Sequence, residues 1–189
     1  MAINADIQIT GLSPFLMNNV AAMMESDNGS GVSSRKKKYD DNHEAEIREY
    51  RTDKGQLYIP AVAFRLSLIG VGGGAKNKKN GKMSARNCVC AGVFEREQQC
   101  VVFSATTGKP IKKYDINKMP VIVNKARVMR CRPEITNWRC LLKLEVDEEF
   151  ITVDQLIELL NIAGKIAGVM DFRPQCTGSY GRYTAALAA

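Results

Sequence analysis

The chain has 189 residues, 45% of them apolar and 25% charged, with a formal net charge of +7 and a pI near 9.1. That length suits one domain and leaves two cramped, and the composition excludes a disordered chain. No apolar run approaches the ~18–20 residues of a membrane span, and MAINADIQIT lacks the basic start and apolar centre of a signal peptide. The expectation is a cytoplasmic protein with no membrane association, whose positive charge favours an anionic partner.

Residues 3–9 alternate, with Ile3, Ala5, Ile7 and Ile9 on one side and Asn4, Asp6 and Gln8 on the other. That period of two predicts a strand with one buried face, ended by Gly11 and Pro14. Phe15–Met24 is short and apolar, suited to a helical turn or a lid. SDNGSGVSSRKKKYDDN, residues 26–42, is polar and rich in Gly, Ser and charge, which predicts a mobile loop. Tyr58–Pro60 predicts an extended segment whose proline opens a helix at its first position. The helix covers Ala61–Ile69 and stops at the glycines 70 and 72–74.

The stretch GVGGGAKNKKNGKMSAR, residues 70–86, holds five glycines, five basic residues and no acidic one. A phosphate-binding P-loop requires G-x-x-x-x-G-K-[ST], but Gly81-Lys82 is followed by Met83 and Lys76 stands where the first glycine belongs. A dinucleotide fingerprint requires glycine where Ala75 stands, and a strand in front. What remains is a flexible basic arm, with Lys76, Lys78, Lys79, Lys82 and Arg86 available to neutralise phosphates without reading bases. An ordinary surface loop is the competing interpretation.

Cys88–Phe94 and Cys100–Phe103 predict strands, and Pro120–Met129 another whose alternation is interrupted by charge. Positive charge gathers again at Lys125, Arg127, Arg130 and Arg132. In WRCLLKLEV, Trp138, Cys140, Leu142, Leu144 and Val146 share one face of a further strand. Thr152 and Gln155 have capping-box spacing, and Ile151 and Leu156 that of the accompanying hydrophobic staple. The helix they open carries Leu156, Ile157, Leu160, Ala163 and Ala167, with Gly168 placed as its cap. Gly164 within it implies close packing against a sheet. A last extended segment covers Tyr180–Thr184. The order strand, helix, strands, strand, helix, strand predicts an α+β, ferredoxin-like βαββαβ domain over residues 1–189, with insertions at about 18–56 and 70–87.

Chemistry-bearing residues are few. The six cysteines (88, 90, 100, 131, 140 and 176) come without a signal peptide and several lie in apolar runs, so free buried thiols are expected. Cys88-x-Cys90 is too tight for a zinc pair and His43 is the single histidine, so neither metal nor cofactor is expected. A Ser/Cys–His pairing has that one base and no pattern around it. Asp27, Asp40 and Asp41 share one loop, which leaves metal-assisted phosphodiester cleavage open beside the commoner solvated carboxylates. Tyr180 and Tyr183 flank Arg182, and Phe172 precedes Arg173. Rings beside cations suit stacked bases of a single strand, and they equally suit a core.

ARVMRCRP, a tryptophan strand, a helix and GVMDFRPQCTGSYGRY together make the segment 124–183 resemble the ending of RAMP-superfamily proteins, which include the guide-RNA-coating backbone subunits of CRISPR effector complexes. Gly178, Tyr180, Gly181 and Arg182 match that family's glycine-rich loop, and Ile59, Pro60 and Arg65 match parts of its entry to the first helix. The R-x-R-P and D-F-R-P-x-x-x-G-x-[FY]-G-R signatures also make the chain similar to small phage-borne proteins. The resemblance implies an RRM-like core, binding to RNA or single-stranded DNA, and head-to-tail self-association along the strand. Under it, the basic arm grips phosphates, Arg127, Arg130 and Arg132 line a groove, and Arg173, Arg182 and Tyr180 stand by the glycine loop. The expectation is a non-catalytic binder of single-stranded nucleic acid, RNA before DNA. The alternatives are a metal-dependent endoribonuclease using a loop aspartate, and a phage-encoded module acting on CRISPR effector subunits.

Overall fold

The alternation at the N-terminus is answered by burial. In the computed structural model, which describes residues 1–20, 40–70, 79–80, 83–123 and 126–188, strand β1 (Ala2–Gly11) buries Ala5, Ile7 and Ile9. It lies between two neighbours. Strand β10 (Trp138–Asp147) pairs with it antiparallel from Ala2 opposite Asp147 to Thr10 opposite Arg139. Strand β11 (Tyr183–Leu187) takes its other edge, Gly11 opposite Tyr183. Beyond β10 come β7 (Gln99–Ser104) and the short β6 (Val93–Glu95), and β7 carries β3 (Tyr58–Pro60). The main sheet therefore runs β11-β1-β10-β7-β3, antiparallel at each of these pairings.

Two helices cover the sheet's apolar face. Helix α2 (Ala61–Ile69) brings Phe64 and Leu68, and helix α4 (Val153–Ile166) brings Leu156, Leu160 and Ala163, into one core with Ile7, Ile9, Val102, Leu142 and Leu144. The capping box is present: the Thr152 Oγ1 accepts from the Gln155 N–H, and the Gln155 Oε1 accepts from the Thr152 N–H at 3.1 Å. Ala167 ends the helix, and Gly168 follows at φ +68°, its N–H donating to the Ala163 carbonyl. Gly164 does meet the sheet, since a Cβ there would lie 2.1 Å from the Tyr183 carbonyl oxygen. One turn away, the Asn161 amide donates to the Ala185 carbonyl and accepts from the Ala185 N–H, both at 2.9 Å.

A second sheet stands beside the first. Pro120–Met129 is not one strand but parts of two, β8 (Asp115–Val123) and β9 (Ala126–Ile135), which pair from Asp115 opposite Glu134 to Val123 opposite Ala126. Phe15 and Leu16 add a two-residue strand, β2, to β9, in place of the helical turn the apolar run suggested. Trp138 joins the two sheets: its indole N–H donates to the Ser13 carbonyl at 2.9 Å and its ring meets Phe15 edge-on at 5.0 Å.

Other expectations need correction. Most of Cys88–Phe94 is helix α3 (Ala85–Gly92), capped by the Ser84 hydroxyl accepting from the Asn87 N–H, and only Val93–Glu95 is extended. Pro60 precedes its helix as the cap residue and also ends β3. The last strand begins at Tyr183, because residues 178–182 belong to the preceding loop. The polar stretch before residue 43 leads into helix α1 (Asp41–Glu46), while residues 21–39 lie outside the described residues. Lys79–Asn80 and Met83–Ser84 form a short ladder, β4 with β5. The chain is a mixed α/β structure with a mostly antiparallel sheet, compatible with the α+β class. Among the described residues, no helix is long and apolar enough to cross a membrane.

Candidate nucleic-acid interface

Residues 168–182 form a loop whose backbone packs on itself. The Val169 N–H donates to the Gly181 carbonyl, the Gly178 N–H to that of Arg173, and the Tyr180 N–H to that of Phe172. A Cβ on Gly178 would come 1.7 Å from the Phe172 oxygen, and one on Gly181 would come 1.9 Å from the Val169 oxygen. Those two motif glycines are therefore required by the loop's own packing. Met170 and Phe172 hold left-handed backbone angles, φ +66° and +48°, at on the order of 1 kcal/mol or more each, which the surrounding hydrogen bonds must offset.

Ion pairs and amide contacts fasten this loop to the second sheet. Asp171 bridges to Leu16 through backbone, and its carboxylate accepts from the Arg132 Nη1 at 2.6 Å. Asn117 on β8 donates to both the Tyr180 hydroxyl (3.2 Å) and the Glu134 carboxylate (2.7 Å). The rings of Phe172 and Tyr180 lie 6.1 Å apart at 40°. On the other face of the hairpin, the register partners Lys118 and Cys131 meet α1. Lys118 pairs with Asp41 at 2.8 Å, holding that carboxyl below its usual range. Burial, reinforced by Asp41, pushes the Cys131 thiol up to about 11. Glu44 pairs with Arg48 at 2.9 Å and with Arg130 at 3.4 Å. Burial lowers the Arg48 pKa, Glu44 opposes that, and Arg130 and Arg132 lower it further.

The residues expected to bind nucleic acid are placed in very different surroundings. Arg132 is 4% exposed and holds Asp171, so it serves as an internal anchor rather than a groove wall. Arg130 is 30% exposed and shared with Glu44. Arg127 and Arg182 are exposed, while Arg173 is half-buried, donating to the Met170 carbonyl at 2.7 Å and to the Gln175 side chain at 3.4 Å. Arg182 is fixed through its backbone, which bonds Ser13 and Leu12. Arg86 is exposed and donates to the Ile69 carbonyl at the end of α2. Lys79 lies in β4, where only its backbone is described, and Lys76, Lys78 and Lys82 lie outside the described residues. So does Asp27. Asp40 caps α1 by accepting from the N–H groups of Asn42 and His43.

Between α2 and the loop runs a groove of about 320 Å³, which sequence reasoning missed. Pro60, Val62 and Leu66 form one wall, Met170 and Arg173 the other, with Asn18, Tyr50 and Asp171 also lining it. Val62 is 50% and Leu66 53% exposed. The signal was present in AVAFRLSLI, where only Arg65 and Ser67 are polar. A helix with one face to water is expected to be polar along that face, and this one is not.

No protein-family model matches this chain, and no curated protein matches it either. Its chemistry must therefore be read from the geometry: guanidinium groups and two rings on a braced loop, beside an apolar slot. Guanidinium groups attract anions, and rings stack on other planar rings.

Proposed function

We propose that the chain is a non-catalytic, cytoplasmic protein that binds single-stranded nucleic acid, RNA in preference to DNA, and self-associates head-to-tail along the strand. One observation carries this reading. Exposed Arg182, half-buried Arg173 and the Phe172–Tyr180 ring pair occupy a single loop whose backbone is held by its own glycines and by Asp171. Cations for phosphates and rings for bases are what a single strand requires. The strand order β11-β1-β10-β7 with α2 and α4 supports reading the core as the split βαβ, ferredoxin-like or RRM-like arrangement. The likeness of GVMDFRPQCTGSYGRY to the RAMP glycine loop agrees with it.

The endoribonuclease alternative draws less support. Asp40 is engaged as a helix cap and Asp41 by Lys118, so cleavage through either would first cost a structural contact. The decisive experiment is fluorescence anisotropy with labelled single-stranded RNA, single-stranded DNA and duplex across a salt series. Single strands should bind best. Replacing Arg173 and Arg182 together with Ala should cost about tenfold or more and flatten the slope of log K against log salt by about 1.4, at ~0.7 per lost phosphate contact. Affinity and slope unchanged by the double substitution would overturn the reading. Absence of any nucleic-acid binding would put a protein-interaction module in its place.

A further inference from the structure

Resting on the reading just given, we infer that the groove between α2 and the glycine loop is a slot for one unstacked nucleobase, the position at which a bound strand is held by a base as well as by its phosphates. Three observations converge on it. The wall supplied by α2 is apolar where it faces solvent, with Val62 and Leu66 half exposed one helical turn apart. Apolar side chains left open beside polar ones mark a surface that something covers.

The opposite wall is the segment around Met170, held in the left-handed conformation and placed by the Asp171–Arg132 ion pair. Strained backbone persists where its surroundings over-determine it, and ligand clamps are such places. The volume, about 320 Å³, lies at the small end of the ~300–1,000 Å³ range of small-molecule sites. That suits a planar ring system.

Charge and hydrogen-bonding groups narrow the ligand. Arg173 stands on the groove wall, so the slot has a cation at hand for a phosphate beside the base. Asn18 supplies an amide that can donate and accept, and Asp171 a carboxylate whose oxygens receive the Arg132 guanidinium and the Phe172 N–H. A base carries donors and acceptors along one edge and an apolar face for Leu66. A purely aliphatic ligand would leave the Asn18 amide unmatched, and a phosphate alone would leave the apolar wall uncovered.

The test separates bases from phosphates. A labelled 12-nucleotide oligoadenylate and an abasic ribose-phosphate 12-mer are titrated into wild type and into Val62→Gln/Leu66→Gln. That double substitution is neutral in charge and sits at exposed positions, and circular dichroism checks its fold. Wild type should prefer the oligoadenylate by about tenfold or more, the effect typical of one stacked base. The variant should lose at least fivefold of that preference, with its affinity for the abasic strand unchanged. A preference that survives intact assigns base contact elsewhere, such as the Phe172–Tyr180 rings, and overturns the slot while leaving nucleic-acid binding standing. Equal binding of both strands by wild type also overturns it. Binding of neither strand removes the underlying reading and the slot with it.

Discussion

The two sheets of this protein are built from the same antiparallel ladders but are held by different forces. The main sheet buries Ile7, Ile9, Leu142, Leu144 and Val146 beneath α2 and α4, and apolar area removed from water stabilises it at roughly 25 cal/mol per Å². Phe15 and Ile135 tie the second sheet to the same core, and charges grip it further: Arg132 to Asp171, Arg130 to Glu44 and Lys118 to Asp41. Apolar packing tolerates small displacements of its partners. Ion pairs and glycine–carbonyl contacts do not, and they leave guanidinium groups close to the surface. The region that carries the proposed interface is therefore the one held by direction-dependent contacts.

Breaking the seam between the two should have the largest effect. Trp138→Ala removes a buried indole that touches both sheets and should cost ~3–5 kcal/mol in urea unfolding. A loss under 1 kcal/mol would mean the sheets do not depend on each other. Arg132→Ala comes next. It strips the partner from Asp171 inside a largely buried pair, with an expected cost of ~2–3 kcal/mol, below that of a fully enclosed pair because Asp171 is a third exposed. Its signature should be local: alkylation of Cys131 on β9 should accelerate about tenfold or more, while that of Cys140 on β10 stays at the wild-type rate. Equal acceleration at both thiols would erase the distinction drawn between the sheets.

Thr152→Ala should cost ~1 kcal/mol by removing the hydroxyl of the capping box, and it should leave Cys131 labelling unaltered. Lys118→Ala should change least. Its pair with Asp41 is open to solvent on both sides, and the thermal midpoint should stay within measurement error. A drop as large as that of Thr152→Ala would show that this exposed pair contributes to holding α1 against β8.

These different forces explain what could be read in advance. Strands β1 and β10, helix α4 and its Thr152 cap were legible because burial on one face writes a period of two or of 3.6 into the residues themselves. Pro120–Met129 was read as a single strand because the charges at Lys125 and Arg127 looked like interruptions of one alternation rather than the break between β8 and β9, and the sequence did not explain the arginines just beyond it, Arg130 and Arg132. Their partners, Glu44 and Asp171, come from distant parts of the chain. The same distance made Arg132 look like a binding residue. Helix α3 was read as a strand since NCVCAGVF is too short an apolar run for periodicity to decide, and the cap at Ser84 was the neglected clue. The glycine motif was visible as a loop. Its reason was not, because Gly178 is required by the carbonyl of Phe172, six residues earlier, and only the folded backbone brings them together. The groove stayed hidden for a related cause: AVAFRLSLI shows a helix with few polar residues, but nothing local says which of its apolar side chains are left facing water.

The paired hydrogen bonds from Asn161 to Ala185 bear on what can add to the edge of the main sheet. Ala185 is the middle residue of β11, the outermost strand on its side of the main sheet, and a row of free N–H and C=O groups there would invite a foreign strand to zip on. The Asn161 amide imitates one peptide of such a strand and occupies its place. The border is shut at its midpoint, so a foreign strand cannot extend the sheet through β11 without displacing Asn161.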